Sequence, residues 1–166
     1  MTSGYIIAIG SLSFLISFSI GANDAANALS TSYGSKALKL FYLVLLGAIF
    51  ELIGAFWCSG HVAGHLVGSV IEDANTLSET EIDKIMLGTS ISSFIFIMAS
   101  SIFGMPISGT HTIVGAIIGA GVAIVGASNI NWGQLGVIAA SWLIAPILAI
   151  ALCALFFTSV CALTLD

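Results

Sequence analysis

The chain has 166 residues, of which 58% are hydrophobic and 7% charged, with a net charge of −5. Soluble domains carry charge on roughly a quarter of their residues, so this composition indicates an integral membrane protein. Nucleic acid is excluded as a partner, because three lysines without an arginine cannot form a surface that follows a phosphate backbone.

The apolar runs are continuous and lack period-two alternation, which favours membrane helices over a β-barrel. The length accommodates about five membrane segments, so we predict an all-α fold in a single transmembrane repeat covering 1–166. The approximate segments are 5–28, 38–60, 85–103, 107–127 and 133–163, with an acidic outer loop at 72–84. Whether the membrane is a plasma or an organelle membrane is not determined by the sequence.

The first polar cluster follows the first apolar run and reads GANDAANA from Gly21 to Ala28. It places Asp24 between the amides Asn23 and Asn27, where an ionised Asp costs about 2.5 to 3.5 kcal/mol at the centre of a membrane helix. Carboxylate and amide oxygens suit a small cation, whereas amide donors and freed backbone groups suit an anion. A polar helix end in the headgroup region is the alternative. The glycine predicts a helix break at 21–25.

Glu51 lies in the middle of the second segment, with eleven uncharged residues between it and Lys39. A carboxyl group at that depth is a candidate functional group or a structural hydrogen-bond partner, and we expect it to face the interior of the bundle. Further on, His61 and His65 are four residues apart. They lack a third ligand at a recognisable spacing, so no metal site is predicted beyond a possible Na⁺.

The second polar cluster is PISGTHT, from Pro106 to Thr112. It interrupts the apolar stretch 85–165, which contains no Asp, Glu, Lys or Arg and whose single histidine is His111. Proline and glycine free backbone groups here, while hydroxyls and an imidazole converge within about one turn. Either a discontinuous helix lines a polar cavity, as a re-entrant hairpin would, or a short loop joins two spanning helices. We expect both polar clusters to meet near mid-membrane, with the Cα atoms of Asp24 and Ser108 within about 20 Å.

Four segments of the chain resemble, in their order and spacing, the PiT family of inorganic phosphate transporters. They read GANDAANALSTSYGSKAL, IFELIGA, PISGTHTIVGAIIGA and WLIAP. The resemblance implies a symporter, driven by Na⁺ or H⁺, that carries inorganic phosphate between two repeats of opposite orientation. It implies phosphate-binding roles for Asn23, Ser108, Gly109, Thr110 and His111, and cation-binding roles for Asp24, Asn27 and Glu51. We expect no enzymatic activity, because no nucleophile with a base and no cofactor loop is present, and no cofactor besides the coupling cation.

Members of that family carry both motifs twice, whereas this sequence has each motif once. We therefore expect one half of an inverted-repeat transporter, which needs a second, inverted half to work. The alternative is a half-transporter retained as a structural subunit of a larger membrane complex without transport activity. The expected partners are inorganic phosphate, the lipid bilayer and either the second half or that complex.

Overall fold

The structure is a computed structural model that describes residues 3–72 and 76–165, with side chains at 7–60, 69–72 and 76–164. In this part of the chain there are five α-helices and a short 3-10 helix at Ala127–Asn129. The α-helices are α1 (Ser3–Gly34), α2 (Leu40–Val70), α3 (Glu79–Ile102), α4 (Gly109–Val125) and α5 (Trp132–Leu165). The expected all-helical membrane fold is confirmed.

Four of these helices contain a stretch long and apolar enough to cross a membrane, namely α1, α2, α3 and α5. Helix α4 has 17 residues. At a rise of ~1.5 Å per residue it is about 25 Å long, which is less than the ~30 Å of bilayer hydrocarbon.

The predicted break at Gly21–Ala25 is wrong, because α1 continues as one helix to Gly34. A glycine inside a helix costs only about 1 kcal/mol relative to alanine, and without a proline each backbone group keeps its helical partner. The second helix also extends beyond its expected end at residue 60, to Val70.

Helix α3 begins at Glu79, inside the predicted acidic loop 72–84, because a capping box starts it there. The N-cap Ser78 accepts from the backbone N of Glu81, and Glu81 Oε2 accepts from the backbone N of Ser78 at 3.0 Å. This pairing satisfies donors that the first helical turn leaves free. Residues 73–75 of the predicted loop and the side chains of His61 and His65 lie outside the described residues.

Helices α1 to α4 form one compact unit, in which α3 packs along both α1 and α4. A Cβ at Gly88 of α3 would lie 3.3 Å from the Ala120 Cβ, so this glycine permits a close approach of α4. The link 103–108 is short, and Gly88 and Ala120 lie at similar distances before and after it, so the two helices run antiparallel. The buried core includes Ile97 of α3 and Val114 of α4.

Helix α5 forms a second unit. The Asn131 side chain accepts from the backbone N of Gln134 at 2.9 Å, which caps its first turn. The helix continues through Pro146, and Thr158 and Ser159 donate to carbonyls one turn back. These two hydroxyls are thus satisfied within the helix, which suits an apolar surrounding.

The link between α3 and α4 begins with a left-handed residue, Gly104, at φ +66°. Its N–H donates to the Ser101 carbonyl at 3.1 Å, and the next N–H, of Met105, donates to the Ser100 carbonyl at 2.8 Å. This pair of bonds is the Schellman arrangement that ends a helix. Pro106 follows and prevents the helix from resuming.

We expect Gly104→Ala to lower the free energy of unfolding by about 1 to 2 kcal/mol, because an L side chain is strained in the left-handed conformation. Unfolding of the detergent-solubilised protein, followed by tryptophan fluorescence, measures the change. The matched control is Gly10→Ala in α1, where a new Cβ has nothing within 4 Å. There alanine should stabilise the helix by up to about 1 kcal/mol. Equal losses in the two variants would contradict the assignment of strain to Gly104.

Candidate functional site

The side chain of Asn23 joins α1 to the link between α3 and α4. It is 8% exposed. Its Nδ2 donates to Ser101 Oγ at 3.2 Å and to the Met105 carbonyl at 3.1 Å, and its Oδ1 accepts from the backbone N of Ile107 at 3.1 Å. Both N–H groups that the sequence assigned to phosphate therefore have protein acceptors.

The next residue on α1, Asp24, is half-buried against the start of α4. Its Oδ2 lies 3.6 Å from the position that a Cβ would take on Gly109, the first residue of α4. The side chain of Ile20 lies 3.8 Å from the same position. The expected proximity of the two polar clusters is confirmed, since even a Cβ on Gly109 would be in van der Waals contact with the carboxylate.

The first turn of α4 has an N-cap and a hydroxyl network. The Ser108 Oγ accepts from the backbone N of His111 at 3.4 Å and lies 2.6 Å from His111 Nδ1. The Ser108 carbonyl accepts from the backbone N of Thr112 at 3.1 Å, which is the first bond of the helix. The N–H groups of Gly109 and Thr110 precede that bond, and a helix has no internal acceptor for them.

The polar residues of this turn lie on different faces of α4. At about 100° per residue, Ser108, His111 and Thr112 share one face, Gly109 faces α1, and Thr110 points away from the first face. The first face borders an open cavity of about 940 Å³ between α3 and α4. Its other lining residues are mainly apolar or small: Ser92, Ile95, Phe96, Ala99, Ile107, Gly115 and Ala116. Thr110 instead lies on the side of the buried Val114 and Ile117.

The remaining predicted site residues, Asn27 and Glu51, are exposed. The expectation that Glu51 faces the interior of the bundle is wrong for the helices of this chain. Helix α2 approaches α1 at Gly47, where a Cβ would lie 3.8 Å from the Leu29 side chain, and Ile71, directly after α2, lies 3.8 Å from a Cβ placed on Gly121 of α4. Neither contact covers Glu51. Among the described residues, Glu51 has no hydrogen-bond or ion-pair partner.

Glu51 nevertheless lies at the height of Asp24. The short link 35–39 makes α1 and α2 antiparallel neighbours, and the contact of Leu29 with Gly47 sets their register. At about 1.5 Å per residue, Glu51 comes level with Ala25 of α1. By the same register, Asn23 is level with Ile53, inside the apolar stretch Leu40–Gly60 of α2.

Sequence reasoning identified Asp24 and the start of α4 but missed Ser101, Met105 and Ile107, which hold Asn23. No signal marks Ser101 among the many serines of the chain. The other two contribute backbone groups, for which the identity of the side chain carries no information.

A family model described as the phosphate transporter family matches residues 20–166. A putative phosphate permease of Haemophilus influenzae is 35% identical over 154 residues, which are 92% of this chain and 37% of the relative. A sodium-dependent phosphate transporter of Toxoplasma gondii is 33% identical over 156 residues, 92% of this chain and 18% of the relative.

A solved structure titled "The sodium-dependent phosphate transporter" superposes with a TM-score of 0.85 at 29% identity. The match covers 96% of this chain and 40% of that chain. This chain therefore spans well under half of the length of these relatives.

We expect Ile20→Cys combined with Gly109→Cys to form a cross-link, because their side chains would lie in contact between α1 and α4. The native Cys58, Cys153 and Cys161 are first replaced by alanine. Oxidation in detergent, then mass spectrometry of the peptides, detects the bond. In the control, Gly115→Cys replaces Gly109→Cys, since a Cβ there has nothing within 4 Å. Equal cross-linking in both pairs would contradict the contact.

Proposed function

Because the chain belongs to the phosphate transporter family, we propose that it forms one wall of a site where Na⁺ and inorganic phosphate bind together in a cation-coupled symporter. The observation that carries the proposal is the Asp24 carboxylate against Gly109, at the amino end of α4. An anion-attracting helix end and a fixed negative charge are thus neighbours.

The electrostatics of this pair explain how a cation could drive phosphate binding. The free N–H groups and the dipole at the start of α4 favour an anion. An unneutralised Asp24 repels the same anion, since two unit charges 5 Å apart interact by about 3 kcal/mol at an effective dielectric constant of 20. A cation bound at Asp24 removes the repulsion, and by linkage phosphate strengthens the binding of the cation to the same degree.

Each residue then has a role that its position allows. Asp24 offers carboxylate oxygens to the cation beside the start of α4, and hard cations prefer such ligands. Asn27 and Glu51 lie at nearly the same height but are exposed, so their oxygens would join the cation site only where the second half closes around them. At the start of α4 the N–H groups of Gly109 and Thr110 offer donors to phosphate. Ser108 and His111 add polar groups on the face of the cavity, whereas the hydroxyl of Thr110 lies on another face and would reach phosphate only from that side. The names of the Toxoplasma gondii relative and of the solved structure support Na⁺ rather than H⁺ as the coupling cation.

A requirement for a second, inverted half is supported by the open sides of the site. A site with only one wall would leave a multiply charged anion facing an apolar medium, which costs free energy. Alternating access also needs a second helix bundle that moves against the first. The relatives extend well beyond the part that this chain matches, as a second half would require.

The surface of α2 also supports a second half. Around Glu51 the exposed face carries small residues, including Gly54 and Ala55, whereas the opposite face carries bulky ones such as Phe56 at 90% exposed. Small residues in membrane helices allow another helix to approach closely. A helix packed on that face would also keep Glu51 away from lipid.

Proteoliposomes made from the assembly that this chain forms in its own membranes should take up labelled phosphate when a Na⁺ gradient is present. We expect Asp24→Asn to reduce uptake to background, because the coupling cation loses its charged ligand. The control is Thr158→Ala in α5, whose hydroxyl bonds only to its own helix and should leave uptake unchanged.

Uptake that is unchanged by Asp24→Asn would contradict the role of this carboxylate. Uptake driven equally well by a proton gradient in choline medium would assign H⁺ as the coupling ion. Uptake by the chain alone would contradict the need for a second half. An assembly that lacks a second transporter half and takes up no phosphate would replace the proposal with the structural-subunit alternative.

The same electrostatic coupling predicts that Asp24→Asn, which should abolish uptake, strengthens the binding of phosphate. Without Na⁺, we expect Asp24→Asn to bind phosphate about 10- to 100-fold more tightly than the wild type, because the neutral amide removes the repulsion. Binding of the variant should also no longer depend on Na⁺. Equilibrium binding of labelled phosphate to the purified assembly, with and without Na⁺, measures both effects. Weaker binding by the variant in the absence of Na⁺ would contradict the coupling by repulsion.

A further inference from the structure

Nearly all backbone N–H groups in the link between α3 and α4 have an acceptor within the protein. The N–H groups of Phe103, Gly104 and Met105 donate to carbonyls in the last turn of α3, and Pro106 has no N–H. The N–H of Ile107 donates to the side chain of Asn23. Hydrocarbon cannot replace such partners, so a link at this depth depends on protein acceptors.

Asn23 also satisfies a carbonyl of the link and a side chain of α3. An amide side chain has two N–H donors and one carbonyl acceptor, and here one donor faces Ser101 Oγ, the other faces the Met105 carbonyl, and the acceptor faces Ile107. The side chain is almost fully buried among these groups. No N–H of Asn23 is left to approach a ligand.

We propose that Asn23 is a positioning residue: its amide holds the link in one conformation and thereby sets the start of α4 against Asp24. It is not itself a ligand of phosphate. The functional part of this inference rests on the proposed function, whereas the positioning of the link does not.

The arrangement assigns different tasks to adjacent residues of α1. Asn23 points into the link, and Asp24, about 100° further round the helix, faces Gly109. If the three hydrogen bonds of the Asn23 side chain are lost, the link relaxes and the first turn of α4 moves relative to the Asp24 carboxylate. Asn27, one turn further along, is exposed and has no comparable contacts among the described residues.

Hydrogen exchange at the Ile107 amide tests the positioning directly, without any need for transport. We expect Asn23→Ala to accelerate this exchange about tenfold, because a buried N–H loses its acceptor. Asn23→Asp keeps an oxygen for Ile107 but loses both bonds that the amide donates, so it should also accelerate this exchange, by less than Asn23→Ala. Mass spectrometry with fragmentation to single residues resolves the amide.

The matched control is Asn131→Ala, which removes an asparagine that accepts from Gln134 at the start of α5. It should accelerate exchange at Gln134 and leave Ile107 unchanged. If Asn23→Ala does not fold, Ser101→Ala and Asn23→Asp carry the test. Ser101→Ala removes only one acceptor, so it should accelerate Ile107 by less than tenfold but measurably.

A double-mutant cycle adds the functional readout. If Asn23 acts through the link, then in an Asn23→Ala background Ser101→Ala causes no further loss of phosphate affinity. Unchanged Ile107 exchange in Asn23→Ala, together with additive losses of phosphate affinity, would overturn the proposal and make Asn23 a direct ligand. A wild type that binds no phosphate would refute the proposed function, and the exchange at Ile107 would still decide the positioning role.

Discussion

Backbone N–H and C=O groups inside a bilayer need partners within the protein, and this constraint governs where the helices of the chain can be interrupted. Between Ile102 and Gly109 three features satisfy this constraint: a Schellman turn, a proline that has no N–H, and the side-chain amide of Asn23, which bonds to the backbone of the link. In contrast, α1 passes through Gly21 without interruption, because each backbone group there keeps its partner within the helix. A glycine permits a break, but only a supply of hydrogen-bond partners stabilises one.

The position of the link determines the electrostatics of the candidate site. Since Asn23 holds the end of the link, the free N–H groups at the start of α4 lie beside the carboxylate of the next residue, Asp24. A negative charge at a helix N-terminus is favourable in itself, so the pair is stable without a ligand. In the proposed function, phosphate would share that helix end with the Asp24 carboxylate only when a cation compensates for the carboxylate, which would make the binding of the two ions interdependent.

The site is open because the described contacts of α2 with α1 and with α4 lie at separate points along α2. Helix α2 approaches α1 near Gly47 and α4 near Ile71, and the part between carries Glu51 on an exposed face. Asp24 and Glu51 are therefore at one height without forming a common binding site in this chain. The cavity beside Ser108 and His111 is likewise open to its surroundings on one side.

The sequence alone determined the membrane-embedded helical fold, the family and the proximity of the two polar motifs. These follow from apolar run length, from two specific motifs in order, and from the cost of polar groups in lipid, all of which are local or compositional. Only the tertiary structure decided what the polar side chains do. It buried Asn23 in the link, placed Asp24 against Gly109, put Thr110 and Ser108 on different faces, and left Glu51 exposed. These outcomes depend on helix rotation and register between segments far apart in the chain, and a hydrogen bond from Asn23 to the backbone of residue 107 has no signature in the side chains.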